Sequence, residues 1–248
     1  MSKMQTEYKT SSSTTAKQFI ELCINNKHEE ISAFLKKTTQ DDINAIIHTR
    51  NDEAFRDAAW YDCIKVIKLL LEYTPDLERR NKMIHSNKDE AFHKASSMAH
   101  RGNHAKIVKL LVELTPDNTQ LKQMIHNNKD AAFRYCVGDP SVQGTRVYGR
   151  RNCPIGYCAS WQDVRELHVS EELIELFLEL DIEYYENLAK SLNLSPKTAE
   201  YITKTSQEIK ETRKAKAHND ADGKKEAVGS HTERYLAKQN NTTIQPNI

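Results

Sequence analysis

The side chains best suited to chemistry are cysteines and a histidine in the second half of the chain. Cys136, Cys153, Cys158 and His168 are ligand types that zinc favours, and a cysteine paired with a histidine is also a nucleophilic arrangement. The spacing does not favour zinc, because four residues separate Cys153 from Cys158 and no second close pair exists. No catalytic signature, phosphate-binding glycine loop or nucleophile elbow is present. An enzyme or zinc protein built on these four residues is therefore the alternative function, and we predict no catalytic residue, metal or other cofactor.

The segment from Gly138 to Trp161 differs chemically from the rest of the chain. It holds four of the seven glycines and two of the six prolines but no lysine or glutamate. Arginine forks bind carboxylates or phosphates, and exposed aromatic rings anchor partners. We predict a recognition loop, with a small hairpin at 145–148, although its aromatic rings could instead pack back on the body of the protein. The predicted partner-binding residues of this loop are Arg146, Tyr148, Arg150, Arg151, Tyr157 and Trp161.

Internal repeats supply the elements that must position this loop. The block Ile47–Phe55 recurs at Ile84–Phe92 and Ile125–Phe133, with phenylalanines 37 and 41 residues apart. A second block, Lys68–Asp76, recurs at Lys109–Asp117. Repeats of this length are single supersecondary units that must stack to bury their apolar faces.

Weaker copies extend the series at both ends. Phe19 and Phe34 occupy the positions expected for a weaker first unit, which would precede the clear repeats. A last unit begins at Phe133, but its second block appears only at Leu173–Leu178, so the insertion at about 138–161 interrupts it. We therefore expect about four units.

Each unit has the apolar spacing of helices. Ala54, Phe55, Ala58 and Ala59 fall on one helical face, and a second stripe runs from Ile64 to Leu71. Thr74-Pro75-Asp76 predicts the start of a third, shorter helix that carries Leu77, Met83 and Ile84. The predicted fold class is an all-α helical repeat solenoid.

These residues resemble the ankyrin repeat family. The stretch Ala54–Ala59 is similar to the first-helix motif of that family, and Val66–Leu71 and His104–Leu111 are similar to its second helix. The period is longer than in typical ankyrin units, the Thr-Pro-Leu-His opening is absent, and the Thr-Pro-Asp helix replaces the β-hairpin finger. This style is similar to the divergent ankyrin-like repeats of effector proteins that intracellular bacteria secrete into host cells.

The resemblance implies a protein-binding role, with a host protein as the partner and the host cytoplasm as the destination. The predicted contact surface comprises exposed residues of the first helices together with the loop. Those helix residues are Arg56, Asp57, His93, Lys94, Arg134 and Tyr135.

One histidine recurs in each clear unit, at positions 48, 85 and 126. The interpretation we favour places each at a helix end, bonded to backbone carbonyls or to the next unit, rather than in proton transfer or metal binding.

Composition and charge limit the remaining predictions about partners, localisation and domains. Lysine plus arginine (36) nearly balances aspartate plus glutamate (35), so no global field favours nucleic acid. Five scattered cysteines and the lack of an apolar leader or membrane span indicate a soluble protein in a reducing compartment. We predict a disordered tail at 1–14, repeats at 15–182, capping helices at 183–217 and a disordered tail at 218–248.

Overall fold

A computed structural model describes residues 15–99, 102–142 and 169–221. Over these ranges the chain is all-helical and contains no strand, which confirms the all-α part of the predicted fold class. The hairpin expected at 145–148 and both predicted tails up to residue 14 and beyond 221 lie outside the described residues. The helices are α1 (15–24), α2 (His28–Leu35), α3 (Gln40–Ile47), α4 (Thr49–Trp60), α5 (Ile64–Glu72), α6 (Leu77–Ile84), α7 (Ser86–Ser97), α8 (His104–Glu113), α9 (Asn118–Cys136), α10 (Glu171–Leu180), α11 (Ile182–Ser191) and α12 (Pro196–Ala221).

Helices that are equivalent in sequence pack beside one another. The first helix of a unit is α4, α7 or the second half of α9, and α7 contacts both of the others. The second helices α5, α8 and α10 also contact in that order. Phe55, Phe92 and Phe133 are each completely buried, so the repeated phenylalanine occupies the same kind of core position in every clear unit. Phe177 of α10 joins this core, with its ring centroid 6.3 Å from that of Phe92.

The turn between first and second helices is built in the same way along the chain. Asn26, Asp62, Gly102 and Gly138 all have positive φ and occupy equivalent positions. The residue after three of them donates its N–H back to a carbonyl five residues earlier, at 2.9 to 3.0 Å, which is the closing bond of a Schellman cap. At Gly102 a glycine is required for a second reason, because a Cβ would overlap the Asp62 carboxylate.

The Thr-Pro-Asp sequence both ends one helix and starts the next. The Thr74 hydroxyl donates to Leu70 O at 2.9 Å, which closes α5, while the Asp76 carboxylate accepts from Arg79 N at 2.7 Å and caps α6. The predicted third helix is therefore confirmed, with Asp76 as its cap rather than Thr74. Met83 is fully buried, but Leu77 is 75% exposed and contributes little to the core.

Three helices close the C-terminal end of the described chain. α10, α11 and α12 pack on one another, and α10 also packs on α9. Ser195 Oγ accepts from Thr198 N at 3.1 Å, so the predicted Ser-Pro start of α12 is correct. α12 is helical up to Ala221, the last described residue, and so extends beyond residue 217, the predicted end of the capping helices. None of the helices described here combines the length and the apolar character that crossing a bilayer needs.

Candidate partner-binding face

A left-handed turn opens each first helix. Residues 50–52, 87–89 and 128–130 all have φ between 50° and 60° with positive ψ, so three consecutive residues adopt the αL conformation in each unit. None is glycine, and left-handed backbone costs a non-glycine residue about 1–2 kcal/mol, less for Asn and Asp. Each turn therefore needs several compensating contacts.

The recurrent histidines provide the first of these contacts. His48, His85 and His126 place Nδ1 at 2.6, 2.7 and 2.9 Å from Oδ1 of the aspartate four residues later. That aspartate is the last residue of each left-handed turn and is buried at all three positions. The expectation that these histidines lie at helix ends is correct, but they bond Asp side chains and not backbone carbonyls. His85 also reaches the next unit, because its Nε2 lies 3.4 Å from Thr115 Oγ1.

Arginines of the first helices provide the second contact. Arg56 donates through Nη1 to Arg50 O at 3.2 Å, and Arg134 donates through Nε to Lys129 O at 3.0 Å. Each arginine thereby satisfies a carbonyl of the turn in its own unit. In the middle unit the equivalent residue is His93, whose side chain does not reach a carbonyl of the turn in this way.

A buried ion network crosses from α4 to α7. Arg56 Nε lies 2.9 Å from Glu90 Oε2, Lys94 Nζ lies 2.8 Å from Glu90 Oε1, and Lys94 Nζ also lies 2.7 Å from Asp57 Oδ1. Burial by itself would raise the pKa of Glu90, but hydrogen bonds from Lys94 and Asn87 and the charge of Arg56 hold that pKa below its usual value. The network joins the two helices through charged contacts, and removal of one partner would leave a buried charge uncompensated.

The prediction that first-helix polar residues are exposed is wrong for three of the six. Arg56, His93 and Lys94 are only 9%, 1% and 8% exposed. The physical reason is that α7 lies between α4 and α9, so its polar side chains are used in contacts between units. Asp57 and Arg134 remain partly exposed, as does Tyr135.

His93 is the most unusual of these residues. Neither ring nitrogen has a hydrogen-bond partner among the described residues, and the ring packs edge-on against Phe92 at 5.6 Å between centroids. Burial lowers the pKa of His93 to about 4, although the nearby Asp89 charge acts in the opposite direction. The imidazole is therefore neutral at physiological pH.

The described residues on either side of the stretch 143–168, which contains most of the predicted recognition loop, contact one another and the first helix of the last unit. Ser170 N donates to Cys136 O at 2.9 Å, which joins the start of α10 to the end of α9. Asp139 is buried and accepts from Arg134 Nη1 at 2.7 Å and from Ser141. The loop residues Arg146, Tyr148, Arg150, Arg151, Tyr157 and Trp161 lie outside the described residues, so their role stays a prediction.

Of the alternative zinc or nucleophile set, the structure describes one member. Cys136 is 1% exposed, and burial raises the pKa of its thiol well above the usual value. A buried neutral thiol is a weak nucleophile and a weak ligand. Cys153, Cys158 and His168 lie outside the described residues, and within the described ranges no cluster of histidine, cysteine and acidic side chains has metal-binding geometry.

An aromatic cluster at the end of the repeats was not anticipated from the sequence. Tyr184 OH donates to Asp130 Oδ2 at 2.8 Å, and its ring lies 4.3 Å from that of His126. Tyr185 is fully buried against Phe133, with centroids 4.6 Å apart. The adjacent Tyr184-Tyr185 pair was the available signal, because tyrosine rings bury a large apolar area while the hydroxyl finds a hydrogen-bond partner.

Sequence reasoning also missed the left-handed turns. The available signal was the run of Asn, Asp and basic residues after each histidine, since Asn and Asp tolerate αL better than other residues.

Comparison with known proteins does not identify a family for this chain. No family model, curated protein or solved structure matches it.

Proposed function

We propose that this protein is an ankyrin-like helical repeat solenoid whose function is to bind a protein partner. The observation that carries the proposal is the side-by-side packing of equivalent helices, α4 with α7 and α7 with α9. Repetition of this kind generates an extended surface, and repeat proteins use such surfaces for recognition.

The charged groups of the first helices support binding rather than catalysis. The ion network already pairs Arg56, Glu90 and Lys94 with one another. The described thiols are buried, and burial raises the pKa of Cys23 to about 12 and that of Cys63 to about 11. Such groups stabilise the stack and are poorly placed to act on a substrate. The binding contribution then falls to the arginine-rich loop and to the partly exposed first-helix residues Asp57, Arg134 and Tyr135. Asp57 and Arg134 are also paired, with Lys94 and Asp139, but keep part of their side chains at the surface.

That the partner is a host protein, met after secretion by a bacterium, rests on the family resemblance and stays a prediction. The full chain is the appropriate bait for affinity capture from host-cell lysate, followed by mass spectrometry and direct titration of the purified candidate.

Two variants with the same number of changes test whether capture uses the first-helix surface. Asp57→Asn with Tyr135→Ala alters partly exposed first-helix residues, whereas Lys65→Ala with Lys68→Ala alters exposed residues of α5. We expect the first variant to lose the partner and the second to retain it, with both showing an unchanged helical circular dichroism spectrum. Equal binding by both variants would contradict a first-helix surface. Replacing Arg146, Arg150 and Arg151 together by Ala tests the loop in the same assay, and unchanged capture would remove the loop from the proposal.

A further inference from the structure

The outer residues of the three left-handed turns share a pattern that their structural role does not require. The first two residues of each turn are exposed, while the third, the aspartate, is buried. The exposed pairs are Arg50-Asn51, Asn87-Lys88 and Asn128-Lys129. Each pair contains one cation and one asparagine, so every clear unit presents the same two chemical groups at its surface.

The exposed charge of the turns is positive in all three units. The aspartates at 52, 89 and 130 face inward and are bonded to histidines. Glu53 pairs with Arg50 at 3.1 Å, with the Arg50 side chain still 48% exposed. Among the described residues, Lys88 and Lys129 form no ion pair. The turns therefore offer cationic side chains that the fold leaves to solvent.

Neighbouring turns are physically linked. Asn127 Nδ2 donates to Asp89 Oδ2 at 3.2 Å and to Lys88 O at 3.5 Å, which joins the turns of the second and third clear units. Between the first and second, Arg56 bonds the Arg50 carbonyl and pairs with Glu90, which also accepts from the Asn87 amide. The three turns consequently form one continuous row, hereafter the turn ridge (residues 50–51, 87–88 and 128–129).

The dimensions of the turn ridge suit an extended chain. Packed helices lie about 8–10 Å apart. An extended polyproline II segment advances about 3.1 Å per residue with three residues per turn, so side chains three residues apart lie on the same face and are separated by about 9 Å, the width of one unit. A carboxylate at every third position of an extended segment would meet one cation per unit. The exposed side-chain amides of Asn51 and Asn128 can donate to and accept from the backbone of that segment, whereas the Asn87 amide already donates to Glu90.

We propose that the turn ridge docks an extended acidic segment of a protein partner, with one carboxylate at every third residue. This proposal rests on the proposed protein-binding function and names the chemistry of the partner. The left-handed backbone contributes to this surface, because it exposes the side chains of the first two residues of each turn. The histidine–aspartate hydrogen bond keeps the third residue, the aspartate, buried.

The test is a fluorescence-polarisation titration of the full chain with a labelled peptide that carries Glu at every third position between Ser and Gly. The comparison peptide has the same composition, with its glutamates grouped together. We expect the spaced peptide to bind more tightly and its affinity to fall as salt rises.

The variant that removes the ridge charge is Arg50→Asn, Lys88→Asn and Lys129→Asn, since Asn adopts αL more readily than Arg or Lys and the fold is preserved. The matched control removes three exposed lysines from second helices, Lys65→Gln, Lys68→Gln and Lys106→Gln. We expect the ridge variant to weaken binding about tenfold, a factor consistent with three partly screened ion pairs, and the control to change it less than about twofold.

Three outcomes would overturn the proposal: no binding of the spaced peptide at millimolar concentration, equal binding of the two peptides, or equal binding by the two triple variants. Tighter binding of a single-stranded oligonucleotide than of the spaced peptide would also overturn it, by assigning the ridge to a nucleic acid. A partner captured by the wild-type chain and retained by the ridge variant would refute the ridge alone. Failure of the wild-type chain to bind any protein directly would instead refute the proposed function.

Discussion

Protonation of His93 should destabilise the fold in a defined pH range. The pKa of this buried imidazole is lowered from 6.5 to about 4. A group whose folded pKa is depressed below its unfolded pKa is neutral in the native state, while the unfolded chain takes up a proton. For a histidine, stability is therefore complete above pH 6.5 and declines as the pH falls towards 4.

The magnitude follows from linkage. Each pH unit between the two pKa values costs about 1.4 kcal/mol, so a full excursion from pH 7 to pH 4 costs about 3 kcal/mol. At pH 4.5, two pH units below the unfolded pKa, most of this loss is already present, about 2–3 kcal/mol. With only 1% of the residue exposed, solvent screening reduces this figure little.

His93→Leu isolates the effect, because leucine has a similar volume and no titratable group. Urea unfolding of the full chain at pH 7 and pH 4.5 gives the free energy of unfolding of both proteins. Glu90 and Asp139, whose pKa values are lowered, lose their stabilising contribution in more acidic solution, but they do so in both proteins and cancel from the difference.

We expect the loss of stability between the two pH values to be about 2–3 kcal/mol larger for the wild type than for His93→Leu. At pH 7 the variant should be as stable as the wild type or more so, since it no longer buries two ring nitrogens that have no partner in the described part of the chain. An identical pH dependence in the two proteins would refute the burial of a neutral His93. A marked loss of stability in the variant at pH 7 would show that the imidazole makes a polar contact after all.

Three further substitutions test the fold. Gly102→Ala should lower the free energy of unfolding by about 2–3 kcal/mol in urea, because the new Cβ meets Asp62 and the backbone is left-handed; an unchanged midpoint would contradict the turn geometry. Glu90→Gln should cost about 3 kcal/mol in thermal unfolding, since it leaves two buried cations short of a counter-charge, and a rise in the melting temperature would contradict the ion network. Lys88→Gly should raise the free energy of unfolding by up to about 1 kcal/mol by relieving αL strain, whereas Lys88→Val should lower it by at least as much; the reverse order would show that the turn is not left-handed.

The buried polar residues of the first helices explain why repeats of such similar sequence can pack in one register. Arg56 on α4 pairs with Glu90 on α7, while α9 carries Ala131 at the position equivalent to Glu90. A slip by one unit would place the arginine opposite an alanine and leave its charge buried without a partner. Because an uncompensated buried charge costs several kcal/mol, the network selects one pairing of helices among several that the apolar core alone would accept.

The sequence by itself determined the helical class, the repeat and the core positions. Apolar spacing in Ala54–Ala59 and Val66–Leu71 is a local property, and burial of Phe55, Phe92 and Phe133 follows once each helix must hide one stripe. The Asp76 cap and the Ser195 cap are also local, since both act within one turn of their own helix. Periodicity and capping can be read from a single chain because the interacting residues are only three or four positions apart.

Tertiary structure alone decided which polar residues face solvent. Arg56, His93 and Lys94 lie on the polar side of their helices, and only the placement of α7 between α4 and α9 buries them. The left-handed turns depend equally on distant contacts, such as Asn127 with Asp89 and Tyr184 with Asp130, which are 38 and 54 residues apart. Local propensity opposes the αL conformation at Arg50, Lys88 and Lys129, so that conformation exists because long-range hydrogen bonds outweigh the local preference.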